Sequence, residues 1–172
     1  MMGDSETVVD AGGATPHPAR LEVLYARHAS DAARLAYLLT GDPEVARDLV
    51  HDAFLRLVTR FVDLRSEDSF EAYLRAMVVN LSKMHFRRQT LERRHTSGAN
   101  PQLSHAPPIE DRDLLRRALL GLPERQRTAI VLRYYLDLSE KTTAETMRCR
   151  QGTVKSLTSR GMTALRSVLG DG

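Results

Sequence analysis

The sequence predicts an all-α protein built as two small helical domains joined by a flexible linker. Three observations predict it. Apolar residues recur at threes and fours through most of 20–94 and again through 111–169, the spacing of one buried helix face. Between those stretches, residues 95–110 read HTSGANPQLSHAPPIE, with three of the seven prolines and few large apolar side chains. Finally, Leu122 to Arg166 reads as three consecutive helices, the last two joined by a short turn at Arg148–Arg150.

Residues 1–19 form a small, polar tail, and its first 17 residues are expected to be disordered. A helix then begins near Pro18, with Leu21, Leu24, Tyr25, Ala32, Leu35, Leu38 and Leu39 on its apolar face, and Gly41 ends it. Asp42 caps the next helix and Pro43 occupies its first turn, where a missing N–H costs nothing. That helix gathers Ala46, Leu49, Val50, Ala53, Phe54, Leu57, Val58 and Phe61 on one side. After a polar connection at 62–68, Asp68 with Glu71 resembles a capping box for a third helix. Phe70, Tyr73, Leu74, Met77, Val78, Leu81 and Met84 are its expected buried set. The second domain opens with a helix over Asp111–Leu120, broken by Gly121, and Pro123 falls in the first turn of the following helix. Ile130, Val131, Tyr134 and Leu138 are expected to make a small core of their own with Leu115, Leu119, Ala144, Met147, Val154 and Leu165. Ser139 caps the helix that starts at Glu140, and Gln151–Arg166 supplies the last one.

Charge divides the chain more sharply than its net of +3 suggests. Residues 1–82 carry a net of −5, residues 83–94 a net of +4 and residues 111–172 a net of +5. Two basic blocks suit two contacts with a polyanion, and the acidic part suits a basic partner. On the second helix Glu44, Asp48 and Asp52 recur every fourth residue, with His51 and Leu55 beside them. Like charges at that spacing repel by ~0.2–0.5 kcal/mol per pair, which a basic partner would reverse, although most such stripes are only solvated faces. Lys83, Arg87, Arg88, Arg93 and Arg94 cluster at the end of the third helix around Phe86. One or two cations would suffice to complement the negative end of the helix dipole; five favour nucleic acid. A helix, a tight turn and a second helix rich in Arg, Lys, Ser and Thr form the arrangement that reads DNA in the major groove.

Other functions find no support. There is no nucleophile–base pair, phosphate-binding glycine loop or metal cluster, so no catalytic site, cofactor or metal is expected. Cys149 is the sole cysteine, which excludes an internal disulfide; its neighbours Arg148 and Arg150 would favour a thiolate, so a redox role is weighed. No apolar run is long enough to insert in a membrane, and residues 1–19 lack the order of a secretory signal, so a cytoplasmic protein is expected.

Several segments together resemble the extracytoplasmic-function (ECF) group of bacterial RNA polymerase sigma factors, over roughly 20–94 and 112–169. YLLTGDPEVARDLVHDAFLRLV resembles the group's core-binding segment, and AYLRAMVVNLSKMHFRRQ resembles the segment that recognises and melts the upstream half of the promoter bubble. LPERQRTAIVLRYYLDLSE and GTVKS are similar to its terminal helix-turn-helix. The resemblance implies that Asp48, His51, Asp52 and Leu55 face core RNA polymerase. It implies that Asn80, Lys83, Arg87 and Arg88 hold the −10 element of promoter DNA, with the loop at 62–69 capturing a flipped base. It places Arg150, Gln151, Thr153, Lys155, Ser156 and Arg160 at the −35 element, where Gln151 can read a base edge while Arg and Lys hold phosphates. An anti-sigma factor is a common partner in the group.

The chain also departs from the group's pattern. Arg148 stands where glycine is usual, Thr143, Thr146 and Thr158 where aliphatic residues are usual, Leu157 for a common arginine and Met84 for a frequent aspartate. A positive φ at Arg148 would add strain, and buried hydroxyls cost stability unless they find partners. Two other readings stay open at this point: a one-component helix-turn-helix regulator that binds DNA without polymerase, and a helical adaptor without promoter activity.

Overall fold

The computed structural model describes residues 18–59, 67–95 and 110–170, and every regular element among them is helical. Helix α1 spans Pro18–Thr40, α2 Pro43–Thr59, α3 Glu67–His95, α4 Glu110–Gly121, α5 Glu124–Ile130, α6 Glu140–Met147 and α7 Gln151–Leu169. A π-helical turn, Val131–Tyr135, extends α5 without a break.

The α1–α2 junction shows why the chain turns where it does. Gly41 takes φ +77°, its amide donating to the Tyr37 carbonyl at 2.7 Å. The Asp42 carboxylate then accepts from the amides of Glu44 and Val45 at 2.9 and 3.2 Å, satisfying two orphan donors at the start of α2. The two helices thereby lie against each other, and α3 packs across both. Their shared core comprises Leu24, Leu35, Leu39, Val50, Phe54, Leu57, Phe70, Leu74, Val78 and Leu81 with small residues between. Phe54 sits at its centre, with the Tyr25 ring edge-on at 4.6 Å and the Phe70 ring at 5.6 Å.

Helix α3 corrects three expectations. It begins at Glu67, so Asp68 lies inside the first turn instead of capping it. Tyr73 and Met84 are 53% and 50% exposed. The buried row runs 70, 74, 78 and 81, whereas 73, 80 and 84 turn to the opposite face. In α1, Tyr25 likewise stays 41% exposed while its ring packs edge to face with Phe54. The expected core positions Leu21, Val58 and Phe61 are not covered: the side chains of Leu21 and Val58 and residues 60–66, like the linker over 96–109, lie outside the described residues.

The second group of helices has a smaller cluster, Ala118, Leu119, Leu122, Ile130 and Leu165, with Met162, Ala164 and Leu169 against it. A Cβ at Gly161 would stand 2.5 Å from the Ile130 methyl, so glycine is what lets α7 approach α5 this closely. The expected core for this half is only partly realised. Leu115 and Tyr134 are 46% and 60% exposed. Val131 and Leu132 are fully buried, but in the core of the first three helices, where Leu136, Leu138 and Met147 also pack. The π turn lies at this junction, the Leu136 amide reaching the Val131 carbonyl at 3.1 Å, and beyond Leu132 the side chains of Tyr134 and Tyr135 stay outside. Pro123 is the residue before α5, not one within its first turn.

Candidate polymerase and nucleic-acid surfaces

The acidic residues of α2 lie together. Asp48, His51, Asp52 and Leu55 fall at i, i+3, i+4 and i+7, all on the side of α2 away from the core, Asp52 half-buried and the others exposed. The stripe is partly neutralised from within the helix. Glu44 accepts from Arg47 at 2.9 Å and Asp52 from Arg56 at 2.9 Å, while Asp48 has no salt bridge among the described residues. Exposed pairs of this kind are each worth ~0–1 kcal/mol, so a basic partner can exchange them at little cost. Leu55, 53% exposed at the C-terminal end of the stripe, adds an apolar anchor.

On α3, Asn80, Lys83 and Arg87 fall at i, i+3 and i+7 and are all exposed, as is the adjacent Arg88. Tyr73, Met77 and Met84 border the same strip, and the Asn80 amide lies 3.8 Å from the Met84 sulfur. Arg88 is held by Glu92 at 2.8 Å, one turn on. Tyr73 and Met84, expected in the core, thus give the cationic strip an apolar margin. Asp68 and Ser69 stand exposed in the first turn of α3, but most of the loop assigned to base capture lies outside the described residues, as do the side chains of Arg93 and Arg94.

The two helices and tight turn expected to read DNA are α6 and α7. Ser139 caps α6 by accepting from the Thr142 amide at 3.0 Å. Arg148 ends the helix at φ 50°, ψ 54°, a left-handed conformation that glycine adopts without strain. The turn closes through the Cys149 amide on the Ala144 carbonyl at 2.9 Å, and α7 starts two residues later. Arg150 precedes α7; Gln151, Lys155, Ser156 and Arg160 are exposed along it, and Thr153 is half-buried. Lys155 reaches Glu140 at 3.6 Å, tying the start of α6 to α7. The unusual threonines behave differently from one another. Thr146 donates to the Thr142 carbonyl and Thr158 to that of Val154, so both are satisfied. Thr143 is completely buried and its hydroxyl has no partner.

Two further cations stand here that sequence spacing does not single out. Lys141 and Arg148 line, with Glu145, Arg150 and Gln151, an open hollow of about 500 Å³ beside the start of α7. Cys149, half-buried, contributes to its wall. Lys141 stands ten residues before Gln151, and only the fold of the turn puts them side by side.

Residues 24–92 match the family model described as Sigma-70 region 2, and residues 112–165 match that described as Sigma-70, region 4. The RNA polymerase sigma-E factor of Streptomyces coelicolor is 33% identical over 152 residues, covering 84% of either chain. The chain belongs to the ECF group of RNA polymerase sigma factors. Another relative of this sigma factor, SigM of Mycobacterium tuberculosis, is 30% identical over 86% of this chain and 76% of its own. The fold is that of the sigma factor RpoE from Bartonella quintana, solved with the anti-sigma factor NepR, at TM-score 0.72 and 23% identity over 87% of this chain and 96% of that one. CnrH, solved with the cytosolic domain of CnrY, superposes at TM-score 0.65 with 20% identity, over 92% of this chain and 93% of that one. Among the described residues of the sigma factor no helix is long and apolar enough to cross a membrane, and no group of acidic, histidine or cysteine side chains could hold a metal ion.

Proposed function

We propose that this sigma factor engages core RNA polymerase through Asp48, His51, Asp52 and Leu55 of α2 and holds promoter DNA at two separate places. Asn80, Lys83, Arg87 and Arg88 of α3 serve the −10 element. Arg150, Gln151, Thr153, Lys155, Ser156 and Arg160, at and along the start of α7, serve the −35 element, with Lys141 and Arg148 adding phosphate contacts beside them. Residues 20–94 and 111–169 are the corresponding functional units, and 95–110 is the tether. The observation that carries the reading is one chain holding both an exposed cationic strip on α3 and an exposed, Ser139-capped two-helix reader.

The chemistry belongs to the polymerase. The chain contributes placement: cations offset phosphate charge without regard to sequence, whereas Gln151, a bidentate amide at the start of the reading helix, discriminates bases. It acts as a binding protein and not an enzyme, in the cytoplasm where polymerase and chromosome are. By analogy with the solved complexes, an anti-sigma protein is a further partner.

The test is transcription with purified chain, core polymerase and a genomic DNA library, mapping the start sites. A shared upstream sequence at those starts is the expected result. Failure to bind core sinks the proposal, and tight sequence-specific DNA binding without polymerase points to a one-component regulator instead.

A further inference from the structure

Helix α3 carries an apolar seam that neither the core nor the cationic strip accounts for. Tyr73, Met77, Asn80, Met84, Arg87 and Leu91 follow one another at alternating spacings of four and three. That alternation is the pattern of a coiled-coil seam, and it keeps these positions on one narrow line along about 27 Å of helix. Tyr73, Met84 and Leu91 are 53%, 50% and 48% exposed, Asn80 and Arg87 are exposed as well, and Met77 is half-buried. The line faces away from the buried row at 70, 74, 78 and 81. Large apolar side chains standing in a row on a helix face are a surface suited to a partner. The Asn80 amide, 3.8 Å from the Met84 sulfur, has a weak acceptor there.

Charge decides which partner fits. Asp68 and Glu71 stand exposed at the start of α3, whereas Lys83, Arg87 and Arg88 stand exposed in its last third, and residues 83–94 carry a net of +4. A nucleic-acid strand is negative throughout, so it suits the basic half and is repelled by the acidic start beside Tyr73. A second copy laid parallel would set Arg87 on Arg87 and one basic end on the other. An antiparallel copy sets the acidic start of each helix over the basic end of its partner. The seam accepts that arrangement, because spacings of four, three, four, three and four read the same in both directions. Tyr73 then lies opposite Leu91, Met77 opposite Arg87 and Asn80 opposite Met84, so every layer holds an apolar side chain. Asn80 and Arg87 interrupt the apolar line and so fix the register, as a polar residue does in such a seam. Glu71 pairs with Arg75 at 3.5 Å and Arg88 with Glu92 at 2.8 Å, yet Glu71 and Arg88 keep 59% and 82% of their side chains open to a further partner.

We propose that the outer face of α3 is a self-association surface, on which two copies of the chain pair antiparallel through the seam from Tyr73 to Leu91. The seam is short and interrupted by two polar residues, so the pairing is reversible and depends on concentration. Pairing covers Asn80 and Arg87 and crowds Lys83. The paired chain is therefore a stored form that cannot hold the −10 element, a consequence that rests on the promoter role proposed for those residues.

The test is sedimentation equilibrium of the full chain over a concentration series, under reducing conditions so that Cys149 forms no disulfide between copies. A reversible equilibrium between monomer and dimer is the expected result. Tyr73→Lys and, separately, Leu91→Glu should each raise the dissociation constant at least about tenfold, because each removes apolar burial from the seam. Both side chains are exposed, and circular dichroism checks that helix content is kept. Combined in one chain, the two substitutions face opposite charges across the antiparallel seam and should restore most of the lost affinity. The two positions lie about 27 Å apart on one helix, so the rescue cannot arise within a single chain. A parent chain that stays monomeric throughout overturns the proposal, as do single variants that pair like the parent. A combined variant that pairs no better than the single ones overturns the antiparallel arrangement. Promoter complexes assembled with core RNA polymerase should hold one chain each. Complexes that keep the chains paired on promoter DNA leave the seam standing and withdraw the −10 role from α3.

Discussion

At the scale of single residues, the second unit carries two defects that its own packing does not repair. The Thr143 hydroxyl is buried without a partner, and a buried unsatisfied hydroxyl costs roughly 1–3 kcal/mol. Thr143→Val keeps the shape and removes the polar atom, so it should stabilise the chain by about 1 kcal/mol, read as a raised midpoint in thermal or urea unfolding. Arg148 holds a left-handed backbone conformation with a side chain attached. Arg148→Gly should add ~0.5–1 kcal/mol of stability, less than the strain relieved because glycine loses more freedom on folding. Since Arg148 also lines the hollow beside α7, the same change should weaken DNA binding. Opposite signs in the two measurements would show that the strain is retained for a contact; loss of stability would remove the strain argument. The threonines could be picked out from the sequence as odd. Which of them is unsatisfied could not, because Thr146 and Thr158 find carbonyls in their own helices and Thr143 does not.

Among elements, α2 and α3 each separate a buried packing face from an exposed polar face. Asp48→Arg with Asp52→Arg leaves the buried row of α2 untouched, so helical content should be unchanged while core-polymerase binding is lost. Equal affinity in a pull-down or by fluorescence anisotropy would withdraw the role assigned to the stripe. On α3, Arg87→Ala should lower the slope of log affinity against log salt by about 0.9 for promoter DNA, whatever its sequence. An unchanged slope would mean that Arg87 meets no phosphate. The contact between α5 and α7 is governed by Gly161, where an added methyl meets Ile130. Gly161→Ala should therefore cost about 1–3 kcal/mol by overpacking, despite alanine's better helix propensity. A stabilised variant would show that Ile130 can move aside.

The molecule as a whole behaves differently from the sum of two tethered units. Leu132 belongs by sequence to the second unit and by packing to the first core, with no exposed surface. Leu132→Ala should cost ~2–5 kcal/mol and destabilise both units together, because the cavity opens in their common core. Two separate unfolding transitions in the parent chain, with only the later-numbered unit affected by the substitution, would contradict a shared core.

Much of this was legible in the sequence. Helix spacing, the Asp42 and Ser139 caps, the Gly41 break and the turn at Arg148–Arg150 depend on residues within a few positions of one another, and local chemistry is enough to place them. The same holds for the surface strips: residues at i, i+3 and i+7 share a helix face whatever the rest of the chain does. Tertiary structure alone decided how the halves meet. Periodicity says that Val131 and Leu132 are buried but not in which core, and no pattern in 111–169 marks Arg127 or Arg116 as the residues that reach α1. Those contacts span 88 and 75 positions. They depend on carbonyls left free where α1 ends, which become partners only once distant helices are brought together.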